Sequence, residues 1–136
     1  MRVAALDVGE VRIGVAVTDE LGITAQPLGV VRRVGGRRDL EAVRTMLAPY
    51  APERIVVGLP ITMSGAEGLQ AVRVRAFAAK VGEHLGLPVE LWDERLTTVA
   101  AERALLEADL SRRRRKQVID KVAASLILQS WLARPT

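Results

Sequence analysis

Apolar runs at the start of the chain predict three strands. Residues 3–8 and 13–18 are apolar on both faces, as in strands buried between two layers. The short turn at residues 9–10 predicts that these two strands form an antiparallel hairpin. Residues 27–32 predict a third strand, so the chain is expected to open with a three-stranded meander.

The pattern then changes to helices that alternate with strands. Leu40, Val43, Met46 and Leu47 have helical spacing in a helix predicted over 39–50, with Asp39 as its N-cap. Apolar runs, capping residues and Gly or Pro mark the remaining elements. A strand at 55–59 is followed by a loop at 62–68 and a helix over about 69–85. A strand at 88–92 then leads to a helix at 99–110 capped by Thr97 and a last helix from Ser111 to about 132.

The order β-β-β-α-β-α-β-α-α predicts an α/β fold. Strands that alternate with helices run parallel, and right-handed crossovers place the helices on the sheet faces. The sheet is therefore expected to be mixed and five-stranded, with three antiparallel strands followed by two parallel ones. A length of 136 residues suits one domain, so residues 1–136 are expected to form a single unit.

Composition and charge narrow the function classes. The formal net charge of +4 and the pI of about 10.3 favour a phosphate-rich or acidic partner. No apolar run approaches the ~20 residues of a membrane span, and the first ten residues reach an acid too early for a signal peptide. A cytoplasmic protein is expected. An aromatic content of 3% disfavours a single-strand binder built on stacked rings.

The chain offers few residue types for catalysis. It has no cysteine, which excludes disulfides, thiolate metal sites and cysteine nucleophiles. Its one histidine, His84, is expected to be exposed near the end of a helix, and one imidazole makes neither a zinc site nor a triad. Any chemistry therefore depends on carboxylates, hydroxyls, Lys and Arg.

Four acids occur at three places where the sequence pattern predicts a buried carboxylate or a ligand site. Asp7 interrupts an apolar strand, although it could instead stabilise the following turn. Asp93 and Glu94 follow the last strand, where ligands collect in open α/β sheets, although both could be solvated acids near a helix start. Asp120 shares a helix face with four apolar or small residues, although it could pair with a nearby cation at the edge of that face: Ala123, Ala124, Ile127 and Trp131.

Asp7, Glu94 and Asp120 together predict a site for hard divalent cations. Mg²⁺ and Mn²⁺ prefer oxygen ligands, and two such ions ~4 Å apart can clamp a phosphodiester during attack by water. The three acids are therefore the predicted metal ligands and catalytic residues of a nuclease.

Basic residues flank the predicted ligands. A dense run precedes Asp120 and favours an anionic partner, although it could also be a solvated helix start: Arg112, Arg113, Arg114, Arg115 and Lys116. Arg12 and Arg95 could grip flanking phosphates or balance the acids. The loop at 62–68 could close on a substrate or serve as a plain connector.

Four ordered motifs resemble the YqgF/RuvX family, the Holliday junction resolvase-like nucleases of bacteria. Residues 7–16 (DVGEVRIGVA) resemble its DxGxxRxGxA opening, and residues 57–60 (VGLP), with Met63, Gly65, Glu67 and Gly68, resemble its loop motif. Residues 93–98 (DERLTT) and 120–124 (DKVAA) resemble its last two motifs. Strand alternation points Asp93 and Glu94 to opposite faces, and only the motif selects Glu94.

The resemblance implies a ribonuclease H-like fold with Asp7, Glu94 and Asp120 in the acidic site. It also implies maturation of the 5′ end of the small-subunit ribosomal RNA precursor in the bacterial cytoplasm. Junction resolution is the second reading, and it would require a homodimer because a four-way junction needs two symmetric cuts. The residues do not choose between RNA and DNA.

Two readings from other classes remain. An Asp-x-Gly hairpin also opens the sugar kinases, actin and the heat-shock ATPases, but those proteins bind nucleotide between two such domains, and the Walker A pattern is absent. A non-catalytic RNA-binding module would fit the basic charge. Three retained carboxylates weaken that reading, because acids oppose phosphate binding unless a metal intervenes.

Overall fold

The computed structural model describes residues 1–62, 64–96 and 112–135, with side chains for all of these except 96 and 112–121. The helix predicted over 99–110 and the caps predicted at Thr97 and Ser111 lie outside the described residues.

Five strands form one sheet in the order β3-β2-β1-β4-β5. The strands are β1 (Val3–Val8), β2 (Arg12–Thr18), β3 (Ala25–Arg32), β4 (Arg54–Leu59) and β5 (Val89–Asp93). β2 is antiparallel to β1 and β3, whereas β4 is parallel to β1 and β5. The predicted mixed sheet is therefore confirmed, with strand ends within two residues of those predicted.

Helices cover both faces of the sheet. α1 (Arg37–Leu47) and α2 (Leu69–Leu85) pack on one face, and α3 (Arg112–Leu132) packs on the other. Short 3₁₀ turns occupy Ala48–Tyr50 and Glu94–Leu96. Within the described residues no helix is long and apolar enough to cross a membrane.

Strand alternation divides the core into two layers. Leu6, Val15 and Val57 point towards α1 and α2, where they pack against residues such as Val43 and Val74. The layer under α3 is smaller and joins alternate strand residues to one stripe of the helix: Val3, Ala5, Ala16, Val56, Ala124, Ile127, Leu128 and Trp131. β1, β4 and β5 run in one direction, and their common end is called the carboxyl edge below.

The predicted N-cap role of Asp39 is wrong, because α1 begins two residues earlier. Its carboxylate is buried and accepts hydrogen bonds from the backbone of Val34 (2.9 Å) and Gly35 (3.2 Å). Gly35 and Gly36 have positive φ angles of 99° and 63°, which turn the preceding loop back over the helix start. A carboxylate in the first turn also suits the positive end of the helix dipole.

The expected exposure of His84 is also wrong. Only 15% of its side chain is exposed, because α2 packs beside α1 and the ring contacts the carboxylate of Glu41. Arg44 bonds the same carboxylate one turn further along α1. His84 is thus a partner in a surface network between two helices.

Replacing Asp39 tests the loop before α1. We expect Asp39→Ala to lower the free energy of unfolding by about 2–4 kcal/mol, because it removes the buried acceptor of two loop N–H groups and the ion-pair partner of Arg33. Asp39→Asn keeps an acceptor and should lose less. Urea denaturation measures both, and equal losses in the two variants would contradict the interpretation.

Glu41 provides a pH-dependent contribution. Hydrogen bonds from Arg44 and then His84 lower the pKa of Glu41 from 4.5 to about 2. Because the folded-state pKa is the lower one, the charged contact stabilises the fold above pH 4.5, and that stabilisation is lost as the pH falls towards 2. We expect Arg44→Ala to raise the Glu41 pKa more than His84→Ala does in an NMR titration of the carboxyl carbon. A midpoint near 4.5 in the unmodified protein would refute this.

Candidate functional site

Asp7 lies at the carboxyl edge on the face that α3 covers. It alternates with Val3 and Ala5, whose side chains pack under α3, and it is half-buried. Its partner on β2 is Gly14. On β4, the pairing of Leu6 with Val57 continues to Gly58, next to Asp7. Both neighbours lack side chains, so there is space above the sheet around this carboxylate.

Glu94 reaches the same space from β5. It follows the last residue of the strand, and its Oε1 atom lies over Gly58, 2.9 Å from where a β-carbon would be. Ile127 of α3 closes the other side, since its Cδ1 atom would be 2.5 Å from that β-carbon. Neighbouring strands are about 4.8 Å apart, so the Glu94 carboxylate lies one strand away from Asp7.

Asp93 takes a different position. It pairs with Leu59, whose side chain packs in the layer towards α1 and α2. The Asp93 carboxylate accepts bonds from Arg95, at 2.9 Å from the backbone N–H and 2.8 Å from Nη2. This contact lowers the pKa of Asp93. The structure therefore places Glu94 beside Asp7 and engages Asp93 in an ion pair.

Arg95 connects the end of β5 to the loop at 62–68. Its Nη1 atom is 3.5 Å from where a β-carbon on Gly65 would be. That loop is a hydrogen-bonded turn, in which Thr62 bonds Ala66 through both backbone and side chain and Gly65 has a φ of 88°. The loop thus has a defined backbone under the guanidinium.

Asp120 belongs to the first half of α3, where the structure describes the backbone alone. It lies seven residues before Ile127, two turns back on the same helix face. The four residues predicted to share its face are all buried against the sheet, as expected: Ala123, Ala124, Ile127 and Trp131. The basic run from Arg112 to Lys116 forms the start of α3, and its side chains lie outside the described ones.

The described side chains alone do not complete a three-ligand cluster. No group of three His, Asp or Glu side chains among them is close enough to hold a metal ion. Asp120, the predicted third ligand, is outside that set. Arg12 begins β2 on the same face as Gly14 and Asp7, and its carbonyl accepts the N–H of Gly9 at 2.9 Å, closing the turn after Asp7.

Sequence reasoning gave no role to Gly58. The residue lies inside an apolar strand, and an isolated glycine at such a position indicates close approach of another group. That signal was present in residues 55–59. It could not identify the approaching groups, because Glu94 and Ile127 are distant in sequence.

Solved structures with the same fold act on branched DNA. Thermus thermophilus RuvC in complex with Holliday junction substrate superposes with a TM-score of 0.57 at 16% identity, over 96% of this chain and 94% of that one. The fowlpox virus Holliday junction resolvase gives a TM-score of 0.55 at 14% identity, over 97% and 98%. These similarities confirm the predicted ribonuclease H-like fold.

Sequence comparison gives closer relatives. A Moorella thermoacetica protein is 57% identical over 134 residues, covering 98% of this chain and 96% of its own length. One from Symbiobacterium thermophilum is 54% identical over 139 residues, covering 99% and 96%. Both are described as candidate pre-16S rRNA nucleases. The profile of the RuvX family, described as Holliday junction resolvase, matches residues 1–134, and the chain therefore belongs to that family.

Proposed function

We propose that this chain is a divalent-cation-dependent endonuclease that hydrolyses phosphodiester bonds, with Asp7, Glu94 and Asp120 as its metal ligands and catalytic residues. The observation that carries the proposal is the position of the Glu94 carboxylate over Gly58, on the strand next to Asp7. Two acids from different strands share one space at the carboxyl edge, under the helix that carries Asp120.

The residues fit Mg²⁺ or Mn²⁺. Carboxylate oxygens are the ligands that these hard cations prefer, and Gly58 leaves open the space that a β-carbon would fill. When bound, such ions would lower the pKa of the attacking water and stabilise the leaving oxygen.

The surrounding residues would bind and orient the substrate. Asp93 acts as a positioning residue, because it fixes Arg95 against the turn at Gly65, where the guanidinium can contact a phosphate beside the scissile bond. Arg12 borders the site on the β2 side. The basic run from Arg112 to Lys116 gives α3 the charge to attract the nucleic acid backbone.

The first candidate substrate is the 5′ end of the pre-16S ribosomal RNA, processed in the cytoplasm. Two relatives more than 50% identical over nearly the whole chain are described as candidate pre-16S rRNA nucleases, which supports the RNA as substrate. A four-way DNA junction is the second candidate, favoured by the description of the family. Junction cleavage would require a homodimer, because the two strands are cut at symmetric positions.

Cleavage assays test the proposal directly. Purified protein with Mg²⁺ or Mn²⁺ is expected to cut a labelled pre-16S RNA fragment, and Asp7→Asn should reduce the rate at least about a hundredfold because it removes a charged ligand. A synthetic four-way junction, tested in parallel, distinguishes the two substrates. Binding without cutting by both proteins, in the presence of either ion, would favour a non-catalytic RNA-binding module instead.

Gly58→Ala tests whether the open space controls the Glu94 carboxylate. The new β-carbon would collide with Glu94 and Ile127, so one or both side chains must move. We expect cleavage to fall by about tenfold or more, and the free energy of unfolding to fall by about 1–3 kcal/mol.

The Ile127→Val background distinguishes the collision of the new β-carbon with Ile127 from its collision with Glu94. That substitution removes Cδ1, so adding Gly58→Ala to it should cost less stability than in the parent, while the collision with Glu94 remains. Cleavage should therefore stay low in the double variant and near the parent level in Ile127→Val alone. Recovery of cleavage in the double variant would assign the defect to Ile127 and not to Glu94.

A further inference from the structure

We propose that Arg32, Arg37 and Arg38 form a second phosphate-binding site, which contacts the nucleic acid backbone on the β3 side of the acidic site. This inference rests on the proposed function, since it extends the surface used by the same substrate. The three residues belong to the segment 32–38 (RRVGGRR), called the arginine loop below. It links β3 to α1 at the carboxyl edge.

Strand register places Arg32 on the same face as Asp7. Arg32 pairs with Arg12, whereas their neighbours Val31 and Ile13 point into the opposite layer. β3 is two strands from β1, so the backbone of Arg32 is about 10 Å to the side of the Asp7 strand. A polynucleotide backbone longer than one nucleotide can therefore contact Arg32 while another of its phosphates lies over Asp7.

Two arginines directly opposite each other on an antiparallel pair repel. Like charges directly opposite each other on two strands are unfavourable, and an anion beside them reduces the repulsion. β3 is also an edge strand, so solvent or a ligand is adjacent to Arg32. A phosphate of the bound backbone beside Arg32 would supply that anion.

The arginine loop has a fixed backbone that does not use the proposed binding residues. Arg33 alone is structural: its Nη1 atom donates to the carbonyl of Gly9 at 2.9 Å, and its guanidinium lies 4.9 Å from the centre of the Phe77 ring. Its Nε atom is 3.5 Å from the buried Asp39 carboxylate, which also bonds two loop N–H groups. The loop is thus tied to the turn that follows Asp7.

The positive charge of the arginine loop is not cancelled locally. Arg32, Arg37 and Arg38 are exposed, and within the described part of the chain none of their side chains forms a hydrogen bond or ion pair. The acids that follow them in the sequence are already engaged, Asp39 by Arg33 and Glu41 by Arg44 and His84.

A phosphodiester backbone is the ligand that this geometry fits. Arginine donates hydrogen bonds in a planar fork that matches phosphate oxygens, and the loop spaces its charges along the sheet edge from Arg12 outwards. Contacts to the backbone carry no sequence information, so the site would fix the path of the strand while the acids cut it.

Binding measurements on the full chain test this site. In the Asp7→Asn background, which prevents cutting, fluorescence anisotropy follows a labelled pre-16S RNA fragment and a four-way DNA junction over a series of salt concentrations. We expect Arg32→Gln, Arg37→Gln and Arg38→Gln together to weaken binding of the preferred substrate about tenfold or more, and to lower the salt slope by roughly 0.7–0.9 per lost contact.

A charge-matched control removes the same number of arginines elsewhere. Arg2→Gln, Arg44→Gln and Arg54→Gln change the net charge equally. Arg2 precedes β1 and Arg54 begins β4, so both lie at the opposite edge of the sheet. This control should retain most of the affinity. An equal loss in both triple variants would show a general charge effect and overturn the proposal.

Two further outcomes are decisive. Arg32→Lys, Arg37→Lys and Arg38→Lys together keep the charge but not the planar fork, so they should restore the salt slope of the parent and only part of its affinity. A salt slope as low as that of the glutamine variant would overturn the proposal. Unchanged binding by the glutamine variant would overturn the second site while leaving the nuclease intact. Absence of binding by the parent to both nucleic acids would overturn the proposed function as well.

Discussion

The contact above Gly58 is the constraint on which the acidic end of the fold depends. An oxygen of Glu94 and the δ-methyl of Ile127 both occupy space that the β-carbon of any other residue would need. A β-carbon at this point would require both side chains to shift, whereas glycine lets them approach the backbone of β4 directly, where the strand is paired with β5. One missing side chain brings a strand, a helix and a carboxylate together.

The face under α3 changes character along the strands as a consequence. Near the beginning of β1 it is apolar and packed by Trp131, whereas at the carboxyl edge Asp7 and Glu94 replace the apolar residues. Buried carboxylates are costly unless hydrogen bonds or cations compensate them. On the opposite face the layer stays apolar from Leu6 to Val8, and the acid at that end, Asp93, is paired with Arg95.

Much of this arrangement could be predicted because it follows from periodicity. Apolar runs located every strand, and the helix predicted over about 69–85 after the Gly-rich loop has its observed ends at Leu69 and Leu85. Strand alternation also predicted that Asp93 and Glu94 point to opposite faces. In the structure Asp93 forms an ion pair with Arg95, whereas the Glu94 carboxylate lies over Gly58.

The wrong predictions have a common cause in long-range contacts. Asp39 has the sequence signature of an N-cap, but the positive φ angles of Gly35 and Gly36 bring loop N–H groups onto its carboxylate and let the helix begin earlier. His84 was expected to be exposed because its own helix ends there, and only the packing of α1 beside α2 covers it. The local sequence specifies a helix or strand, but it does not specify which residues of another helix or loop pack against it.

The arginines at the carboxyl edge include some that are ion-paired and hold a loop in place, and others, such as Arg32, that are not ion-paired. Arg95 is fixed by Asp93, and Arg33 is fixed by Asp39 and the carbonyl of Gly9, so each holds a loop in place. The charges of Asp93 and Asp39 are neutralised by these ion pairs, so the two acids do not offset the charge of neighbouring arginines such as Arg32. The same pairs that order the loops therefore leave a net positive field beside Asp7 and Glu94. A polyanion can approach two carboxylates only across such a field, because their own charge would otherwise repel it.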